Sequence, residues 1–184
     1  MTFSTPLAER LPEEFLKNGL GQAPFEAKGA LPEKALAFAM EESRKWGIPI
    51  SFKSLCYFNA GYVTTVYSGH LEIGLKEGMK AEENFHILIH ELAHLFLGHT
   101  LHTELHYAGK ARPTTLPQRR LFTTAKELEA ETVSFLVCKK MGLETRSAEY
   151  IAGYIKSKRD LSEFDYGLVI KAADKIDRLF VLLA

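Results

Sequence analysis

The chain has 184 residues, 46% of them hydrophobic and 11% aromatic, and its 23 basic residues balance 23 acidic ones. That is enough apolar material for one sizeable core, and the length favours a single domain over residues 1–184. A neutral balance excludes a global pull toward nucleic acid or anionic lipid. With no uncharged apolar run of about 18 residues, nothing in the sequence reads as a membrane span.

The first residues, Met1-Thr-Phe-Ser-Thr-Pro6, lack the charged-then-apolar pattern of a secretory signal. Cys56 and Cys138 lie far apart in apolar surroundings and read as buried thiols of a reducing compartment. The expectation is a cytoplasmic protein with no membrane partner.

Residues 1–30 are rich in Pro, Gly and charge and read as an irregular arm, with one short helix over 12–17. Pro32 then opens a helix to about Trp46, with Leu36, Ala39, Met40 and Ser43 on its buried face, and Gly47-Ile48-Pro49 stops it. From 50 to 75 the period changes to alternation: Ile50-Ser-Phe-Lys-Ser-Leu55, Tyr62-Val-Thr-Thr-Val-Tyr67 and His70-Leu-Glu-Ile-Gly-Leu75. With turn residues at Asn59-Ala-Gly61 and Ser68-Gly69, the three runs predict a three-stranded antiparallel meander. The edge of such a sheet can take up an extended peptide by strand addition.

The next stretch, His86-Ile-Leu-Ile-His90-Glu91-Leu92-Ala93-His94-Leu-Phe-Leu-Gly98-His99, holds an H-e-x-x-H pattern in an apolar run. The helix runs from about Ala81 to Gly98, apolar nearly all round and therefore buried. His90 and His94, four residues apart, leave the same face of a helix and can grip one metal ion; Glu91, turned by about 100°, can take a proton from water. Buried unpaired charge is costly, so these residues need partners, and a metal satisfies all three. His86, one turn earlier, reads either as a polar helix-start residue or as a partner of the site. His99 reads as a residue that suits the negative end of the helix.

Residues 100–121 carry Gly109, Pro113 and Pro117 with His102, His106, Tyr107, Lys110, Arg112, Arg119 and Arg120, and read as a flap beside the cleft. A second long helix follows over 124–141, closed by Gly142, so that residues 81–141 comprise two metal-binding helices and the loop between them. Helices over 147–157 and 162–183 complete the core.

Catalytic zinc takes three protein ligands and leaves a position for water. A third histidine after the motif would be His99, one place from the required spacing, and an upstream cysteine would be Cys56. The second helix offers Glu127, Glu129 and Glu131. Glu127, Ala130, Glu131, Ser134 and Cys138 share one stripe, while Glu129 lies on the other side with Lys140 and reads as solvated. Two carboxylates on a small-residue stripe fit a division of labour in which Glu127 binds the metal and Glu131 accepts the outward N–H of a ligating histidine. The reverse assignment stays open.

These motifs resemble those of the gluzincin metallopeptidases, whose second motif is E-x-x-A followed by an acidic or amide residue. More closely, His90-Glu-Leu-Ala-His94-x-x-x-Gly98-His99-Thr100, Lys126-Glu127-x-Glu-Ala130-Glu131-x-Val133, Gly142-Leu143 and Ser147-x-x-Tyr150-Ile151 resemble the metallopeptidase domain associated with ArdC-type antirestriction proteins, itself similar to the ImmA/IrrE metallopeptidases. The resemblance covers roughly residues 80–155. It implies one zinc ion held by His90, His94 and Glu127, with Glu91 as general base. It also implies either cleavage of a regulatory protein or service to mobile DNA. The first 80 residues are short and not basic, which departs from the DNA-binding region of ArdC-type proteins.

The sequence therefore predicts an α+β, zincin-like fold, a small antiparallel sheet packed on the H-e-x-x-H helix, and hydrolysis of a protein or peptide substrate. Tyr107, His106 and Tyr150 are candidate donors to the oxyanion of the tetrahedral intermediate, with Tyr150 favoured by its place in the Ser-x-x-Tyr-Ile segment. Two other readings follow from the 100–121 loop. Its basic residues suggest a nucleic-acid-binding or regulatory module with a structural metal, and its length suggests a latent protease held shut until a partner moves it.

Overall fold

The computed structural model describes residues 25–55, 59–65, 71–101, 104–155 and 161–180. Within them lie, in chain order, β1 (Ala27–Gly29), α1 (Ala35–Lys45), β2 (Ile50–Lys53), β3 (Gly61–Thr65), β4 (Leu71–Lys76), α2 (Ala81–Phe96), β5 (Glu104–Leu105), β6 (Thr114–Thr115), α3 (Thr123–Lys140), β7 (Leu143–Thr145), α4 (Ser147–Tyr154) and α5 (Tyr166–Phe180). This is a mixed α+β architecture. The short helix expected over 12–17, Cys56, the Ser68-Gly69 turn and His102 lie outside the described residues.

The three-stranded sheet is not an antiparallel meander. Its order is β2-β4-β3, with β3 antiparallel to β4 but β2 parallel to it, Ile50 standing opposite Ile73. The physical reason lies in β4, whose Leu71, Ile73 and Leu75 are 2%, 0% and 0% exposed. The most apolar strand takes the centre and is paired on both sides, whereas alternation alone carries no information about strand direction. The expected irregular arm is also corrected at its end: Ala27–Gly29 pairs antiparallel with β7, residue 27 opposite Thr145.

Helix α2 is the centre of the core. Every residue from Asn84 to Phe96 is buried, and its most extensive packing is against α3. Two acids, Glu82 and Glu83, stand in its first turn, and the Glu83 carboxylate accepts the Lys80 N–H at 3.0 Å, satisfying a donor that the helix leaves open. Its other end closes at Gly98, whose φ of 74° is left-handed. His99 N–H donates to the His94 carbonyl at 2.9 Å and Gly98 N–H to the Leu95 carbonyl at 3.1 Å, a Schellman closure. A Cβ at Gly98 would strike the Pro117 carbonyl. Glycine is therefore required twice over, by backbone conformation and by close approach.

Helix α1 starts three residues later than Pro32 suggests, because the Pro32 carbonyl accepts the Ala35 N–H in a turn that precedes it. Ala39, Met40 and Ser43 are buried in it, while Leu36 is half-buried against the core. The described part of the long loop is pinned to the body. Strands β5 and β6 form a small hairpin, Leu105 and Leu116 are buried, Ala108 N–H donates to the Lys45 carbonyl at 2.6 Å, and Arg119 N–H donates to the Gly98 carbonyl at 3.1 Å.

Candidate metal centre

Helices α2 and α3 bring His90, His94 and Glu127 together. One ligand atom from each lies within 4.8 Å of the others, and all three residues are buried. The His90 and His94 Nε2 atoms are 3.1 Å apart. The Glu127 carboxylate reaches them at 3.4 and 3.6 Å respectively. The approach is possible because the α3 stripe facing α2 carries small residues, with Ala130, Ser134 and Cys138 each 0% exposed.

The outward side of each histidine is engaged. His90 Nδ1 lies 2.8 Å from Glu131 Oε2, and His86 Nε2 lies 3.1 Å from Glu131 Oε1. Burial alone would raise the Glu131 pKa, but His86 and His90, through charge and hydrogen bonds, hold its carboxyl well below the usual carboxylate range. An ionised carboxylate only accepts, so both ring nitrogens facing it carry hydrogen. His86 is thus a fully buried partner of the site rather than a polar helix-start residue.

His94 Nδ1 lies 3.1 Å from His99 Nδ1, and His99 Nε2 lies 2.9 Å from Glu129 Oε2. Glu129, expected on the solvated side of its helix, is 0% exposed. The side of α3 opposite the metal stripe is covered by Arg119 and by the backbone at Asp165, both of which donate to the Glu129 carboxylate. Burial works against its charge, but the bonds from His99 and Arg119 outweigh it and the pKa is lowered. His99 itself is pushed down to about 4 by burial, against the opposing pull of Glu129, and is neutral near pH 7.

The donor set fits a divalent metal. His90 and His94 turn their Nδ1 atoms outward and their Nε2 atoms toward each other and toward the Glu127 carboxylate, an arrangement that favours a cation among them. In the metal-free protein a proton takes that place: burial disfavours it, yet hydrogen bonds to Glu127 and Glu131 raise the His90 pKa to about 10. Two imidazoles and one carboxylate, all buried, could hold a metal ion.

Glu91 is 2% exposed and lies against the start of β3, where a Cβ on Gly61 would come within 3.6 Å of its Cγ. Among the described residues β3 is paired only through β4, on one edge. Tyr150, on α4, is buried with its hydroxyl 3.1 Å from that of Tyr154. Burial and then the Glu127 charge push its pKa well above 10, so it keeps its proton and can donate. Tyr107 stacks edge-on against Trp46 at 5.0 Å and His106 is exposed, so neither is gathered with His90, His94 and Glu127. Of the basic loop residues, Lys110 stands over Trp46 and Tyr107, and Arg119 is engaged by Glu129. Cys138 is a buried free thiol pushed up to about 12 by burial.

Sequence reasoning missed the roles of His99 and Glu129. The available signal was the spacing of Gly98 and His99 after His94: a glycine closure four residues on turns the next side chain back against the last turn of the helix.

No family model matches the chain, and no solved structure matches it. It is similar to a protein of Bacillus anthracis described only as uncharacterized, with 29% identity over 119 residues, 64% of this chain and 18% of that protein. The chain thus spans about a fifth of the length of the curated relative it matches. Among the described residues no helix is long and apolar enough to cross a membrane.

Proposed function

We propose that the chain is a zinc-dependent metallopeptidase of gluzincin type, hydrolysing peptide bonds in a protein substrate. The observation that carries this reading is the buried cluster of His90, His94 and Glu127, with Glu91 next to His90 on the same helix. A structural metal has no need of that carboxylate.

Zinc bound there would act as a Lewis acid, lowering the pKa of water toward about 7 and polarising the scissile carbonyl. His90 and His94 offer Nε2 lone pairs, and Glu127 offers negative charge. Glu91 takes the proton of the attacking water and passes it to the leaving amine. Tyr150, still protonated, donates to the carbonyl oxygen as it becomes an oxyanion. The edge of β3 beside Glu91 offers backbone groups to an extended peptide. A regulatory protein, or a protein met in mobile-element biology, is the substrate class that the resemblance suggests.

The reading of a nucleic-acid-binding module draws less support, because two of its four loop cations, Lys110 and Arg119, are engaged within the fold. The test is degradation of a denatured protein mixture by the zinc-loaded chain and by Glu91→Gln. Cleavage by the first alone supports the peptidase. Salt-dependent binding to single-stranded DNA that is unaffected by Glu91→Gln, with no cleavage by either chain, favours the module.

A further inference from the structure

We infer that Arg119, Glu129 and His99 form a relay that fixes the tautomer of His94 and so positions its Nε2 toward the metal. The inference rests on the metal-centre reading and extends it to residues outside the two metal motifs.

The hydrogens along one line of contacts determine the tautomers. Glu129 Oε1 accepts the Asp165 N–H at 2.7 Å and Arg119 at 3.0 Å, and Oε2 accepts Arg119 at 2.5 Å. The fourth contact on this carboxylate is His99 Nε2 at 2.9 Å. An ionised carboxylate has no hydrogen to give, so His99 Nε2 must carry one. Arg119 already meets the charge of Glu129 through two bonds, so the His99 ring brings no second charge to this carboxylate and has a single N–H, which leaves its Nδ1 as an acceptor. Its neighbour at 3.1 Å is His94 Nδ1, which must therefore donate. With its hydrogen on Nδ1, His94 presents a bare Nε2 to His90 and Glu127.

The other histidine is set in the same way from the opposite side, since Glu131 accepts a hydrogen bond from His90 Nδ1 directly. The two histidines thus have separate anchors. His90 depends on a residue one turn from Glu127 on α3. His94 depends on a buried imidazole held by the helix closure, a carboxylate on the far side of α3, and a guanidinium from the 104–121 loop. Arg119 also donates to the Glu163 carbonyl at 3.2 Å, so the loop and the segment before α5 converge on this one carboxylate. His99, Glu129 and Arg119 are positioning residues that act on the metal through His94.

The experiment compares zinc dissociation constants, by competition with a chromophoric chelator, for the full chain, Glu127→Ala, His99→Leu and His99→Asn. His99→Leu removes the acceptor, and a weakening of about 10- to 100-fold is expected, the range for loss of a ligand's outer partner. His99→Asn keeps an acceptor oxygen near the Nδ1 position and is expected to recover most of that loss, which a role in packing alone would not produce. Zinc bound by wild type, lost in Glu127→Ala and held equally by wild type and His99→Leu would overturn the relay while leaving the metal centre intact. Zinc bound equally by wild type and Glu127→Ala would overturn the centre and the relay with it. If His99→Leu does not fold, long-range proton–nitrogen spectra of the metal-free wild type decide the matter. His94 protonated on Nδ1 and His99 on Nε2 is the expected pattern, and a hydrogen on the other nitrogen of neutral His99 overturns the relay.

Discussion

The Nε2 atoms of His90 and His94 face each other at 3.1 Å while the Nδ1 atom of each is turned outward to a partner of its own. Only one of the two nitrogens can carry the hydrogen of this contact, and with the Glu127 carboxylate beside them the three groups favour a positive charge in their midst. The geometry favours a cation at this place.

In the proposed centre, zinc and a proton compete for the place between these nitrogens. The His90 pKa is raised from 6.5 to about 10 in the metal-free chain. Apparent zinc affinity should therefore rise with pH, by about tenfold per unit between 6.5 and 8, as one proton is displaced. Calorimetry in buffers of different ionisation enthalpy should detect that proton. The same shift bears on the stability of the metal-free fold. A folded pKa above the unfolded one contributes stability that is complete below about pH 6.5 and is lost as pH rises through about 10. The chelated protein should melt at falling temperature across that window, and a flat profile would contradict the assignment.

Glu91→Gln should keep zinc and lose turnover. The amide matches the carboxylate in shape but cannot accept the water proton, and general base catalysis is worth about 10²- to 10⁴-fold. Steady-state cleavage of a fluorogenic peptide, read beside metal content, checks this. Loss of both metal and turnover would instead place Glu91 among the ligands.

Removing Glu131 should weaken the centre without abolishing it. Its carboxylate accepts from both His86 and His90, so Glu131→Ala frees His90 to rotate and leaves His86 buried beside a cavity. Zinc affinity is expected to fall by about 10- to 100-fold, with a lowered melting temperature. Complete loss, equal to that of Glu127→Ala, would reverse the roles of the two glutamates.

Gly98→Ala should destabilise the fold more than Gly109→Ala. Both glycines have left-handed φ, 74° and 81°, but a Cβ at Gly98 meets the Pro117 carbonyl while one at Gly109 meets nothing within 4 Å. The left-handed conformation costs alanine about 1 kcal/mol at either place, worth about 2–4 °C in a chain of this size. The additional fall at Gly98 reports the clash, and thermal melting of the two variants compares them directly.

These residues also show what was legible in the sequence. H-e-x-x-H, the small-residue stripe on α3 and the i,i+4 pair Glu127 and Glu131 express helix periodicity, so which side chains share a face could be read in advance. The direction of β2 could not, because alternation is the same in parallel and antiparallel strands and only the burial of β4 on both sides decides the order. Glu129 was misread for a related reason. Periodicity showed that it faces away from the metal stripe, but not that Arg119, ten residues earlier, and the backbone at Asp165 would cover that face. Partners brought by loops leave no periodic trace.

The most direct test of the account is metal content by elemental mass spectrometry on wild type and Glu127→Ala, both purified without added metal and then reconstituted with zinc. The account predicts about one zinc per chain in wild type and loss of it in Glu127→Ala. Equal zinc in the two chains, or none in wild type after reconstitution, would contradict the centre formed by His90, His94 and Glu127.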